Sequence, residues 1–336
     1  MPSGISHMLI SQYLPVDNTC PYQYKIKANT RYFQIGSIGP DLPYASIIDN
    51  NFLENESDLA DLFHFCKANQ DIEMSPNMIP LHGLDQVKNV LQKEGPTQRE
   101  GDALFWFLMG FASHVLADGI CHPFIMDKVG RYEGSNKSDH RALEMGIDVL
   151  LSKHFTSASG KAIEASYAGW DTFIKGFNDL KYSPHVLSHF AELIKAIYQY
   201  DVTSDEISGW VDGISRLFCM STGVWPDWFR ELDITKPFVF RQVDDLNGHE
   251  NEYLILGKPK YWDQNFCHKS SVSFLNDCLP QFYPLIKSFI NKAYAYVYGS
   301  GPQLTQNDLP AFSLDTGRTV HDPNNIDLKP VLWGSV

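Results

Sequence analysis

The longest apolar stretch in the chain, residues 103–117, carries hydrophobic side chains nearly all round the helical wheel. That pattern predicts a buried helix. Thr97 and Glu100 form a capping box ahead of it. The residue before a proline is pushed out of the helical region, so His122-Pro123 predicts an end, and the helix is expected from about 98 to 121. The stretch is too short to span a bilayer and contains His114, so no transmembrane segment is predicted. Further helices are predicted from Ser57, with its acidic first turn, through "DHRALEMGIDVLLSKHF", through "KAIEASYAGWDTFIKGF", after Ser183-Pro184, and after Thr203 with Glu206 at the box position. "SVSFLNDCLPQFYPLIKSFINKAYAYVYG" has helical period but is interrupted by Pro280 and Pro284, which predicts a kink or a split.

Strand patterns are few. "FVFRQV" and "EYLILG" flank Asn247-Gly248, which predicts a hairpin within an insertion at 231–268. Residues 301–336 are rich in Pro, Asn, Asp and Gly and read as an extended tail. The fold class is therefore mainly α: one multi-helix domain over 1–300, a small β-hairpin insertion, and a C-terminal tail.

Composition narrows the class. With 336 residues, 43% hydrophobic and 20% charged, the chain suits a globular fold with a large core. A net charge of −13 without a basic run disfavours nucleic acid as a partner. Six cysteines without C-x-x-C spacing, and an N-terminus without a secretory pattern, predict reduced thiols and a cytoplasmic location.

Chemistry enters on the buried helix. Residues four apart on a helix differ by about 40° in azimuth and about 6 Å in height. His114 and Asp118 therefore share a face, with His122 one turn further on. A buried carboxylate needs a partner, and a metal ion or a histidine hydrogen bond would supply one. His140 and Glu144 repeat the four-residue spacing on the next helix, and Asp148 continues that stripe. Two such pairs within about 30 residues point towards metal, with imidazole and carboxylate as zinc ligands. Upstream, His7 lies near the start, Asp41 in a Gly/Pro-rich turn, and His64 on an apolar helix.

Taken in order, His7, Asp41, His64, His114, Asp118, His122, His140 and Glu144, with the text "SHMLI", "GPDLPY", "SHVLADGICHPF" and "DHRALEMGIDVL", resemble the zinc-dependent phospholipase C family. That family shares its trinuclear site with the single-strand-specific fungal nucleases. The resemblance covers roughly residues 1–155. It implies a helical bundle around a di- or trinuclear centre of two to three zinc ions. Asp41, His64, His114 and Asp118 would hold one ion; His122, His140 and Glu144 a second; and Asp118 would bridge to a third that also takes His7. Asp41 is also the implied catalytic carboxylate, and Asp148 is read as standing behind the ligands, orienting an imidazole. The implied reaction is metal-dependent hydrolysis of a phosphodiester, such as a phospholipid, with metal-activated hydroxide attacking phosphorus. The chain departs from the family in three places: "MPSGIS" precedes His7 in place of an N-terminal tryptophan, only three residues separate Asp118 from His122, and Leu42 follows Asp41 where choline-preferring members carry tyrosine. A single-strand nuclease, with Trp225, Trp228 or Trp262 stacking on bases, and a non-catalytic metal-stabilised helical protein are the alternatives.

Overall fold

The computed structural model describes residues 4–16, 20–47, 57–64, 74–92, 97–130, 136–158, 178, 180–181, 183–221, 229, 232, 246–257, 271–311, 314 and 317. They are predominantly helical. In chain order the helices are α1 (Gly4–Gln12), α2 (Gln23–Ala28), α3 (Thr30–Gly36), a 3-10 segment (Gly39–Ile47), α4 (Ser57–His64), α5 (Met78–Gln92), α6 (Thr97–Val129), α7 (Asn136–Ala158), α8 (Pro184–Tyr198), α9 (Ser204–Ser221), α10 (Glu250–Leu254) and α11 (Leu279–Tyr298). Two-residue strands β1 (Ile255–Leu256) and β2 (Val272–Ser273) pair antiparallel, Ile255 opposite Ser273.

Helix α6 is the axis of the molecule, and α1, α3, α5, α7, α8 and α11 pack around it. Phe105, Trp106, Phe107, Phe111 and Phe124 are all fully buried on it. By length and composition α6 could cross a membrane, but its apolar window is wholly enclosed by the fold, the environment of a core helix. It also continues to Val129, through Pro123 rather than ending before it. A proline ring inside a helix clashes with the carbonyl four residues back. Here that carbonyl belongs to Gly119, and Phe124, Ile125 and Met126 beyond the proline are buried. Burial of that last stretch holds the helix together.

At the crossing of α3 and α6 the backbones touch. A Cβ on Gly36 would lie 2.0 Å from the Phe107 carbonyl oxygen, and one on Gly110 would lie 2.2 Å from that of Phe33. Only paired glycines permit this approach, which sets Ser37 against His114 one turn along α6.

Several predicted starts are found. α8 opens on Pro184, and Thr203 and Glu206 form a reciprocal capping box before α9, with Thr203 N–H to Glu206 Oε2 at 2.6 Å and Glu206 N–H to Thr203 Oγ1 at 3.2 Å. The proline-interrupted segment is split: a π-helical turn (Phe274–Cys278) leads into α11, with Pro280 in its first turn, and α11 runs on past Pro284.

The hairpin expectation is met only in part by the described residues. "EYLILG" begins as helix α10, and its strand β1 pairs with Val272–Ser273; "FVFRQV" lies outside the described residues. Asn247-Gly248 does make a turn, with Gly248 at φ 86°. The predicted helix over "KAIEASYAGWDTFIKGF" also lies outside the described residues. Residues 301–311 lack helix and strand, as expected of the tail, yet they pack onto the body. Leu304, Leu309, Ala311 and Leu314 are buried, Asn77 Nδ2 donates to the Leu309 carbonyl, and Leu314 N–H donates to that of His64 at 2.9 Å.

Candidate metal centre

Five elements converge on one buried cluster. α1 supplies His7, the 3-10 segment Asp41, and α4 its last residue, His64. α6 supplies His114, Asp118 and His122, and α7 supplies His140 and Glu144. All eight are at most 7% exposed. Because α6 is continuous, its three residues form an unbroken i, i+4, i+8 stripe facing α1 and α7.

The side chains fall into three groups whose ligand atoms lie within 4.8 Å of one another: His7, His114 and Asp118; Asp41, His64 and His114; and His122, His140 and Glu144. Asp118 is central. Its Oδ1 lies 3.0 Å from His7 Nε2 and 3.6 Å from His122 Nε2, and its Oδ2 lies 3.1 Å from His114 Nε2. Asp41 Oδ1 is 3.2 Å from His64 Nε2. Glu144 Oε1 is 3.1 Å from His140 Nε2 and 3.4 Å from His122 Nε2. Asp118 thus stands between the first and third groups.

The backbone orients the rings. His114 Nδ1 lies 2.8 Å from the Ser37 carbonyl, His64 Nδ1 2.7 Å from that of Ala60, and His140 Nδ1 3.4 Å from that of Gly130. A carbonyl only accepts, so the first two contacts place a proton on each Nδ1 and turn each Nε2 inward. There, Nε2 of His64 and of His114 face each other at 3.2 Å. In the neutral Nδ1–H tautomer both atoms are lone pairs, and a proton or a metal ion between them would relieve their repulsion. The rings of His7 and His114 stack with centroids 3.9 Å apart, fixing His7 against α6.

The charges agree with that need. Asp41, Asp118 and Glu144 are three carboxylates sealed from solvent, which is costly without positive charge beside them. Burial pushes each upward, but the surrounding histidines win. Asp41 is held below the usual carboxylate value by His114 and His64. Asp118 is held well below it by His122, His114 and His7. Glu144 falls to about 2 under His140 and His122. All three stay ionised at neutral pH. The donor set of imidazoles and carboxylates is one that zinc takes.

Asp148 lies behind this cluster, fully buried, and its Oδ1 accepts the Ser6 N–H. It thus acts on the peptide next to His7, at the N-terminal end of α1 where a carboxylate is favoured. Leu42 is a core side chain with no exposure. Trp225, Trp228 and Trp262 lie outside the described residues, as do Met1 and Pro2. The three orienting carbonyls were not readable in the sequence, because a main-chain acceptor leaves no residue type to recognise.

A helical body whose central helix gathers three His/carboxylate groups has the make-up of a multinuclear metalloprotein. The profile of the zinc-dependent phospholipase C family matches residues 6–203, more than half of the chain. The chain belongs to that family, which supports a phospholipase C-like hydrolase at the level of the family. The matched stretch reaches beyond the ligand-bearing text to include α8. Neither the curated proteins nor the solved structures give a match to the chain.

Proposed function

We propose that the chain hydrolyses phosphodiesters, with a phospholipid as the source of the ester, using two or three zinc ions held by the eight clustered side chains. Asp41, His64 and His114 would hold one ion, and His122, His140 and Glu144 a second. His7 and Asp118 would hold a third, with Asp118 placed to bridge. The observation that carries this reading is the facing pair of Nε2 atoms on His64 and His114, each ring fixed by a carbonyl at its far nitrogen. His114 stands in two of the three groups. One Nε2 lone pair serves one ion, so the two groups compete for it, and that competition decides between two ions and three.

Zinc bound here would supply charge for the phosphate oxygens and lower the pKa of water towards neutrality. The chain's own part is to hold that chemistry still. The carbonyls of Ser37, Ala60 and Gly130 set the rings, and burial of the cluster excludes bulk water. Three carboxylates leave the loaded centre cationic enough to attract a phosphate. The lowered pKa of Asp41 suits a ligand and orienting group better than a general base, whose pKa would lie near the working pH.

The test is turnover of a water-soluble phosphodiester and of a phospholipid by zinc-loaded protein, with and without chelator. Release of the phosphorylated head group that stops on chelation and returns with zinc supports the proposal. Zinc binding without turnover of either ester sinks it in favour of a metal-stabilised, non-catalytic protein.

A further inference from the structure

A half-open cavity adjoins the metal-ligating cluster, with about 330 Å³ of space including its mouth. Its lining includes Ser6 and four of the ligand residues, His7, Asp118, His122 and Glu144. The rest of the lining is hydrocarbon and one thiol: Ile10, Ala117, Cys121, Ile125, Ile147 and Phe274. The cavity therefore joins residues suited to hold metal and phosphate to aliphatic side chains. A charged or hydrogen-bonding ester group pressed against those side chains would lose its water and find nothing to replace it. An alkyl group would gain by leaving water.

Phe274 closes the wall, and its position is fixed. It starts the π-helical turn after β2, a kind of helical irregularity frequent at functional sites. Ser273 Oγ accepts the Asn276 N–H at 3.2 Å, and Asp277 Oδ2 accepts the Ser273 N–H at 2.7 Å, so the turn is capped from both directions. The ring meets the edge of Phe124 at 5.6 Å between centroids and is 3% exposed. It lies outside the family-matched residues 6–203, so this wall comes from the part of the chain that the match does not cover.

We propose that the cavity is an aliphatic subsite that takes the hydrocarbon part of an alkyl phosphoester, with Phe274 as its specificity-determining wall. For the phosphate end, the proposal rests on the hydrolase reading above. The phosphate would lie towards Asp118, His122 and Glu144, and the first carbons of the ester group between Ile10, Ile147 and Phe274. Ile147 follows Glu144 by three residues on α7, so one helical turn presents both ends of the subsite.

The experiment is calorimetric titration of the zinc-loaded full chain with inorganic phosphate, then methyl, propyl and hexyl phosphate. Affinity is expected to rise about fourfold for each added methylene until the wall is filled. In Phe274→Ala the gain per methylene should fall below about twofold, with inorganic phosphate bound as before. Phe274→Leu keeps a hydrocarbon side chain and should fall between the two, which covers the case of an alanine variant that does not fold. A flat chain-length series in the wild type, or a rising series untouched by both variants, overturns the proposal. Inorganic phosphate binding with a flat series overturns the subsite alone. No phosphate binding at all overturns the hydrolase reading and the subsite with it. Vesicles doped with dioleoyl phosphatidic acid, compared with sub-micellar hexyl phosphate, separate the sources. Tighter binding to the vesicles identifies a lipid, and saturation by hexyl phosphate alone identifies a soluble ester; each supports an alkyl occupant.

Discussion

The Nδ1 proton of His114 is committed to the Ser37 carbonyl, so its Nε2 is free to face inward between Asp118 and His64. Removing that ring takes a ligand from two groups at once. His114→Ala should lose at least one zinc per chain in elemental analysis. It should also melt several degrees lower, because Asp41 and Asp118 keep their buried charge with less to offset it. Asp148→Asn, which alters the acceptor for the Ser6 N–H, tests whether the seat of α1 governs His7. Glu144 gives a pH dependence in zinc-free protein. Its folded-state pKa of about 2 lies below the ordinary value of 4.5. A depressed carboxylate contributes stability that is fully present above 4.5 and lost as pH falls from there towards 2. The loss is on the order of 3 kcal/mol. Urea midpoints measured across that window should drop in the wild type and drop less in Glu144→Gln. Equal slopes would show that Glu144 is not held by its histidines.

Helix α6 can place its three residues because glycines allow α3 to touch it. Gly110→Ala puts a methyl into the Phe33 carbonyl, and overpacking of this kind costs roughly 1–3 kcal/mol. The variant should lower the melting temperature and also weaken zinc retention, since the same crossing sets Ser37 against His114. At the other end, the N–H of Leu314 reaches the carbonyl of His64. Leu314→Pro removes that donor, and Leu314→Ala keeps it while losing side-chain packing. Greater zinc loss in the proline variant would show that the C-terminal segment holds this ligand in place. Much of the element pattern was legible in the sequence. Pro184 and the Thr203–Glu206 box marked α8 and α9 because caps are local chemistry. Pro123 misled, because a local proline rule was outweighed by burial of Phe124 to Met126, which is a tertiary effect. Asn247-Gly248 does turn the chain, and the pairing of Ile255–Leu256 with Val272–Ser273 was not readable, because a turn does not specify a strand partner beyond it.

For the whole molecule, the ligand residue types were legible because buried histidines and acids are out of place on apolar helices, and their spacing of four survives in the text. What was not legible is how five separate elements bring them within reach, and that the wall of the adjoining cavity is closed by Phe274. Those depend on contacts between elements far apart in the chain, such as His7 with Asp118 and Phe124 with Phe274. Three sealed carboxylates make the zinc-free state a poor one, so chelation should lower the melting temperature and zinc should restore it. Free zinc at about 100 times its dissociation constant corresponds to about 2.7 kcal/mol of stabilisation. The most direct test of the central claim is zinc per chain, by elemental analysis of protein purified without chelator or a metal-binding tag. The proposed centre predicts two or three zinc ions in the wild type and fewer in His114→Ala. None bound, even after zinc is supplied, would contradict it and leave the eight residues as a buried network of hydrogen bonds and ion pairs.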